Sequence, residues 1–141
     1  MTVRGERGQA SVLLVGSLLA GLLLLGLAVD GTRMFVARRD LHNAVDAAAL
    51  AGAGVIDEDA YRSEGGAIRL DAAGARRAAE ENLYAAGWIG RPGVEASVEV
   101  DPVAGRVTVR LSRPVPTVFL RLAGLLQERI GAHATAAPGR P

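Results

Sequence analysis

The feature that most constrains this chain is the run ASVLLVGSLLAGLLLLGLAV, Ala10–Val29, which holds no charged residue and no proline. A helix rises about 1.5 Å per residue, so about 20 residues cross a hydrocarbon core about 30 Å thick. In a chain of 141 residues, too little remains to surround such a helix inside a soluble core. A cleaved signal peptide is the rival reading: Arg4 and Arg7 give the basic start, and Gly26 and Ala28 give small residues near an exit site. Signal peptides use a shorter apolar region, about 7–15 residues, so the run reads as a retained transmembrane helix. Leu22 to Leu25 are expected to face lipid. Gly16 and Ala20 are spaced four apart, as are Ser17 and Gly21, which lets a second helix approach closely. Arg4 and Arg7 before the run do not clearly outweigh Arg33, Arg38 and Arg39 after it, so arginine counting alone leaves orientation open.

The rest of the composition narrows the function. All 16 basic residues are Arg, the net charge is +1, and the Arg38–Arg39 pair is followed at once by Asp40, which argues against a nucleic-acid partner. There is no Cys, which removes disulfides, thiolate metal sites and thiol chemistry. Aromatic residues are 4% of the chain, so the one small domain that fits after the apolar run is expected to have a thin core of Ala and Val.

Helical character continues past Val29. Asp30–Ala53 lacks proline and is rich in Ala, Leu and Arg, and Met34, Ala37, Leu41, Ala44, Ala48 and Ala51 recur at steps of three and four. That spacing makes one narrow face, which runs back to Asp30 and Leu27, with Arg39, His42, Asn43 and Asp46 opposite. Small side chains on the seam permit close approach of a partner helix or of the chain's own globular part. Gly52 and Gly54 are expected to end the helix. Asp30 stands at the membrane exit, where it reads as a local pair with Arg33 or as a subunit contact. His42 and Asp46 lie one turn apart, and the other histidine, His133, is far off in sequence. With no HExxH pattern present, no metal or acid–base role is assigned.

The C-terminal half reads as alternating elements. Val55–Leu70 lacks a period, contains Gly65–Gly66 and reads as a loop. Asp71 is placed to cap a helix from Ala72 to about Ala86, whose apolar face is Ala75, Ala79, Leu83 and Ala86; Gly87 closes it, and Trp88 and Ile89 fold back as anchors. Val94, Ala96, Val98 and Val100 alternate with polar residues, as do Val107, Val109 and Leu111, and the Pro102–Gly105 connection makes the two an antiparallel hairpin. Acids line the polar face of one strand and arginines that of the other. Pro114 and Pro116 are expected to break the second strand. Thr117–Leu126 reads as a short apolar helix whose Phe119, Leu122 and Leu126 cover the hairpin; with Arg121 inside, it is too short to span a membrane. Ile130, Ala132, Ala134 and Ala136 form a third strand.

A long apolar helix running into a water-exposed Ala-rich helix and a small α+β head resembles the plan of pilin-like proteins. Gly8–Ala53 resembles the TadE/TadG-like family of Flp (tight-adherence) pilus-assembly proteins, and the Ala-rich helix, the hairpin, the segment at Phe119 and the terminal AHATA resemble actinobacterial members. The landmarks are Arg7–Gly8–Gln9, Asp30, Arg39, Leu41 and the block Asp46 to Ala53. The resemblance implies a small membrane component of a pilus or secretion machine, with the N-terminus cytoplasmic and the C-terminal part extracytoplasmic. Some members are cut after a Gly followed five residues later by Glu; here the residue five after Gly8 is Leu13, which disfavours processing.

The expected organisation is therefore α+β: a tail over 1–9, a transmembrane helix over 10–29, its soluble extension over 30–53, a pilin-like head over 54–137 with a second helix and a three-stranded antiparallel sheet, and a disordered tail over 138–141. The expected role is a non-enzymatic, membrane-anchored component of the pilus or secretion assembly. The alternatives are a processed minor pseudopilin and a secreted domain freed by signal cleavage. Expected partners are the bilayer, other membrane proteins of the assembly and further copies of the chain. No nucleic acid, small-molecule substrate, cofactor or metal is expected. The candidate contact residues are Gly16, Ala20, Asp30, Met34, Ala37, Leu41, Ala44, Asp46, Ala48 and Ala51.

Overall fold

In a computed structural model of the protein, residues 4–63, 68–124 and 126–139 are described, with the side chains of 4–7, 122 and 123 left aside. The elements in chain order are α1 (Arg4–Ala53), α2 (Glu58–Ser63), α3 (Ala72–Ala85), β1 (Glu95–Asp101), β2 (Arg106–Pro116), a 3-10 turn (Leu120–Ala123) and β3 (Gln127–Ala136). α1 is one helix of 50 residues. The fold is α+β, with α1 and α3 packed on one face of an antiparallel sheet of order β1-β2-β3.

The sheet follows from alternation. Val98 on β1, Val107, Val109 and Leu111 on β2 and Ala132 on β3 are buried beneath the helices, while Glu95, Glu99, Arg110 and His133 stand exposed on the other face. Asp101 opposes Arg106 across the turn, and Val98 opposes Val109. The outer face carries Arg110–Glu99 at 2.8 Å, Arg129–Glu95 at 3.0 Å and a Thr108–Thr135 hydroxyl contact at 3.0 Å. These exposed pairs fix register more than they add stability, each worth about 0.2–1 kcal/mol.

β2 runs through Pro114 and Pro116, which were expected to end it. Both pair with β3, opposite Arg129 and Gln127. β1 reaches only as far as Ser112 on the other side, so the prolines sit where β2 has become an edge and a missing N–H costs no ladder bond. The described parts of the 55–70 segment, 55–63 and 68–70, also carry more structure than a loop. Asp57 accepts from the amides of Asp59 and Ala60 at the start of α2, and Ile56 bridges to Leu70. Gly65–Gly66 lie outside the described residues, as do 140–141 of the expected tail.

Asp71 caps α3 as expected, accepting from the Ala73 amide at 3.1 Å. At its other end Gly87 takes φ 69°, and the Trp88 amide reaches back to the Leu83 carbonyl at 2.9 Å, a Schellman stop. Ala75, Ala79 and Leu83 are buried, but Ala86 is exposed because it is the C-cap, beyond the last turn that faces the core. Trp88 folds back and is buried, with the guanidinium groups of Arg91 and Arg113 4.8 and 5.5 Å from its ring, whereas Ile89 stays exposed.

Gly52 lies inside α1 and does not end it. A Cβ there would stand 2.8 Å from the Ala75 carbonyl oxygen and 3.0 Å from Val107 Cγ1, so this glycine lets α1 and α3 approach closely. The helix ends at Ala53, with the Gly54 amide donating to Leu50.

Candidate interaction site

α1 has three surfaces. From Ser11 to Ala20 every residue is exposed, and Leu22–Leu25 are exposed as well. Among the described residues α1 is the one helix long and apolar enough to cross a membrane, and only 6% of its most apolar window is covered by the rest of the chain. That is compatible with a single-pass membrane protein. Gly16 and Ala20 lie on this bare stretch, with open space where a Cβ on Gly16 would point.

The second surface is the seam against the head. Ala37, Leu41, Ala44 and Ala48 are buried, and Met34 and Ala51 are partly so. Val45, Ala49 and Gly52 are buried too, although the stripe read from the sequence omitted them. The reason is geometric: a straight helix drifts about 20° per seven residues relative to a 3.5-residue repeat, so the buried face rotates onto the neighbouring column. The same drift exchanges Leu27, which is exposed, for Gly26, which is buried. The partner of this seam is the chain's own α3, β2 and β3.

The third surface is the outer face of the extension. Phe35, Arg39, His42, Asp46 and Leu50 are exposed there, with Phe35 at 69% and Leu50 at 66%. Asp46 therefore stands opposite the seam, where its spacing in the sequence places it.

Asp30 joins helix to head. It is 1% exposed, and its Oδ1 accepts from the Val118 amide at 2.9 Å while Oδ2 accepts from the amides of Phe119 and Leu120, each at 2.8 Å. The local pairing with Arg33 is thus replaced by three backbone donors at the start of the 3-10 turn. A buried carboxylate needs such donors, and amides freed at a helix start need an acceptor. The Leu120 amide first, then those of Val118 and Phe119 and the Arg33 charge, hold the carboxyl below its ordinary value of 3.8, against the upward push of burial. No signal near Asp30 in the sequence names these donors, which are 88–90 residues away.

The segment Thr117–Leu126 correspondingly differs from expectation. It is a 3-10 turn held against α1, not a helix over the hairpin, because the hairpin's apolar face is already occupied by α1 and α3. Phe119 packs on Gly26, where a Cβ would fall 2.7 Å from Phe119 Cβ and inside the ring, and Leu126 is exposed. The expected cover by the Leu122 side chain lies outside the described residues.

Among the described residues no group of three or more His, Cys, Asp or Glu side chains is placed to hold a metal ion. His42 is exposed on the outer face of α1, and His133 is exposed on the far side of the sheet.

Residues 8–55 match the model of the TadE/G-like family of Flp pilus-assembly proteins (Tad). The matched stretch coincides with α1 from the start of its apolar stretch to just past its C-terminus. No curated protein and no solved structure matches the chain.

Proposed function

We propose that this protein is a non-enzymatic, single-pass component of a Flp-type pilus or a related secretion assembly, acting through contacts made by α1. The observation that carries this reading is the division of labour along one helix. Its N-terminal half is bare and apolar, its inner face is consumed by the head, and its outer face is left open with Phe35 and Leu50 standing out. The TadE/G-like match over residues 8–55 covers both halves of that helix and supports the pilus setting. In this reading the N-terminus is cytoplasmic and the head extracytoplasmic. Gly16 and Ala20 serve helix packing within the bilayer, and Asp46 belongs to the outer contact face. Leu13, at the position where processed members carry Glu, favours a retained anchor over a cleaved filament subunit.

The test is photocrosslinking in native membranes from positions 35 and 50, with position 103 on the hairpin turn, 97% exposed, as the control. Capture of another pilus or secretion membrane protein, or of a second copy, from 35 or 50 but not from 103 is the expected result. Equal capture from all three positions would contradict a contact face on α1.

A further inference from the structure

We propose that the turn between β2 and β3, residues 118–124 together with Leu126, is a second membrane contact, a lipid-facing foot beside the point where α1 leaves the bilayer. This rests on the reading that 10–29 spans the membrane. Three observations place the foot.

The first is depth. Asp30, the first residue beyond the apolar run, binds the amides of Val118, Phe119 and Leu120 directly, so the turn cannot stand away from the exit point. Phe119 then packs on Gly26, one helical turn further into the run, at about 6 Å along the axis toward the lipid. A ring resting on a residue of the spanning segment lies within the hydrocarbon boundary.

The second is chemistry. Val118, Phe119 and Leu126 are all exposed, an unusual cost for a water-facing turn in a chain with few large apolar residues in its head. Four of its amides are taken up within the protein: three go to Asp30, and the Thr117 amide donates to the Leu126 carbonyl at 3.3 Å. An apolar surface whose amides at 117–120 are already bonded within the protein suits an interfacial insertion.

The third is charge. Arg121 is exposed on the turn itself. On the water side of Asp30, exposed Arg33 stands about one helical turn above the apolar run, beside a groove of about 390 Å³ lined also by Val36, Ala37 and Val115. Guanidinium groups at that height meet lipid phosphates.

The expected occupant is therefore the acyl-chain and phosphate boundary of a bilayer, and the consequence is mechanical. A helix held at one point can rotate and tilt, whereas one with a lateral foot has its rotation fixed, and the outer face of α1 is aimed in one direction.

The chain has no native Cys, so single-cysteine variants of the full-length protein can carry an environment-sensitive fluorophore. Probes at Leu19, Leu126 and Val103 would be compared in phosphatidylcholine–phosphatidylglycerol vesicles, using lipids brominated near the headgroup end of the chain and aqueous iodide as opposing quenchers. Leu126 is exposed, so a probe there does not disturb the core. Strong quenching by bromolipid and weak quenching by iodide at position 126, with the reverse at 103, is the expected result. If position 19 is lipid-quenched while 126 responds like 103, the foot is disproved and the anchor stands. If position 19 is itself iodide-quenched, the spanning helix and the foot both fail. A probe at 126 shielded from both quenchers would assign the patch to protein contact and equally overturn the proposal.

Discussion

Leu41→Ala is expected to destabilise the head by about 2–5 kcal/mol, the range for a leucine removed from a close-packed interior. Leu50→Ala, on the same helix, is expected to change stability by less than about 0.5 kcal/mol, as for surface positions. Leu41 is fully buried among Ala44, Val45, Ala48 and the sheet residues, whereas Leu50 stands on the outer face. The chain's single tryptophan, Trp88, is buried in the same cluster and reports unfolding by its fluorescence. A large loss at 41 with none at 50 shows that the seam is an intramolecular core. Equal, small effects would show instead that α1 passes the head without packing on it. Leu41 is the largest side chain on a seam built mostly of alanine, so nothing nearby can compensate for its loss.

Gly52→Val is expected to be comparably damaging by the opposite route. Its first carbon would press on the Ala75 carbonyl oxygen at 2.8 Å and on Ala79 Cβ at 3.3 Å. A backbone oxygen cannot swing aside, so α1 and α3 must separate, at a cost of about 1–3 kcal/mol or more. The control is Gly31→Ala. Gly31 is exposed in the same helix with nothing within 4 Å of the added carbon, and the exchange is expected to stabilise the helix by about 0.5–1 kcal/mol. Urea unfolding followed at Trp88 measures both. A Gly52→Val protein as stable as the parent would mean that the α1–α3 crossing is looser than described.

These residues also show how far the sequence could be read. The apolar run, the continuous helix, the hairpin and the third strand were all legible, because each rests on a local period or a turn residue. The seam was legible as a stripe, but its occupant was not. Small residues at steps of three and four invite any close neighbour, and whether that neighbour is another protein or residues 70–136 of the same chain is a question of tertiary structure. The same holds for Gly52: a glycine near the end of a helix signals a stop locally, and only the presence of α3 turns it into a contact. Pro114 and Pro116 look like breakers in the sequence because the length of β1, which decides whether their side of β2 is an edge, is not visible in β2 itself. Asp30 was singled out, yet its partners are the amides of a distant turn, and amides have no sequence signature.

The head's occupancy of the seam determines where partners should be sought. Position 48 faces the chain's own core and is the wrong place from which to capture another protein, whereas 35 and 50 face outward. The foot and the Asp30 bonds, in turn, make the orientation of that outward face a property of how the head sits on the bilayer.

The central claim is that membrane anchor and head scaffold are one rigid helix. Spin labels on cysteines at Val15 and Phe35, both exposed and on opposite sides of the membrane exit, test it most directly in lipid nanodiscs. At about 1.5 Å per residue the two backbone positions lie about 30 Å apart along one continuous helix. A single narrow distribution near that distance is the predicted result. A broad distribution, or one centred well below it, would show a hinge at the membrane exit and contradict the account.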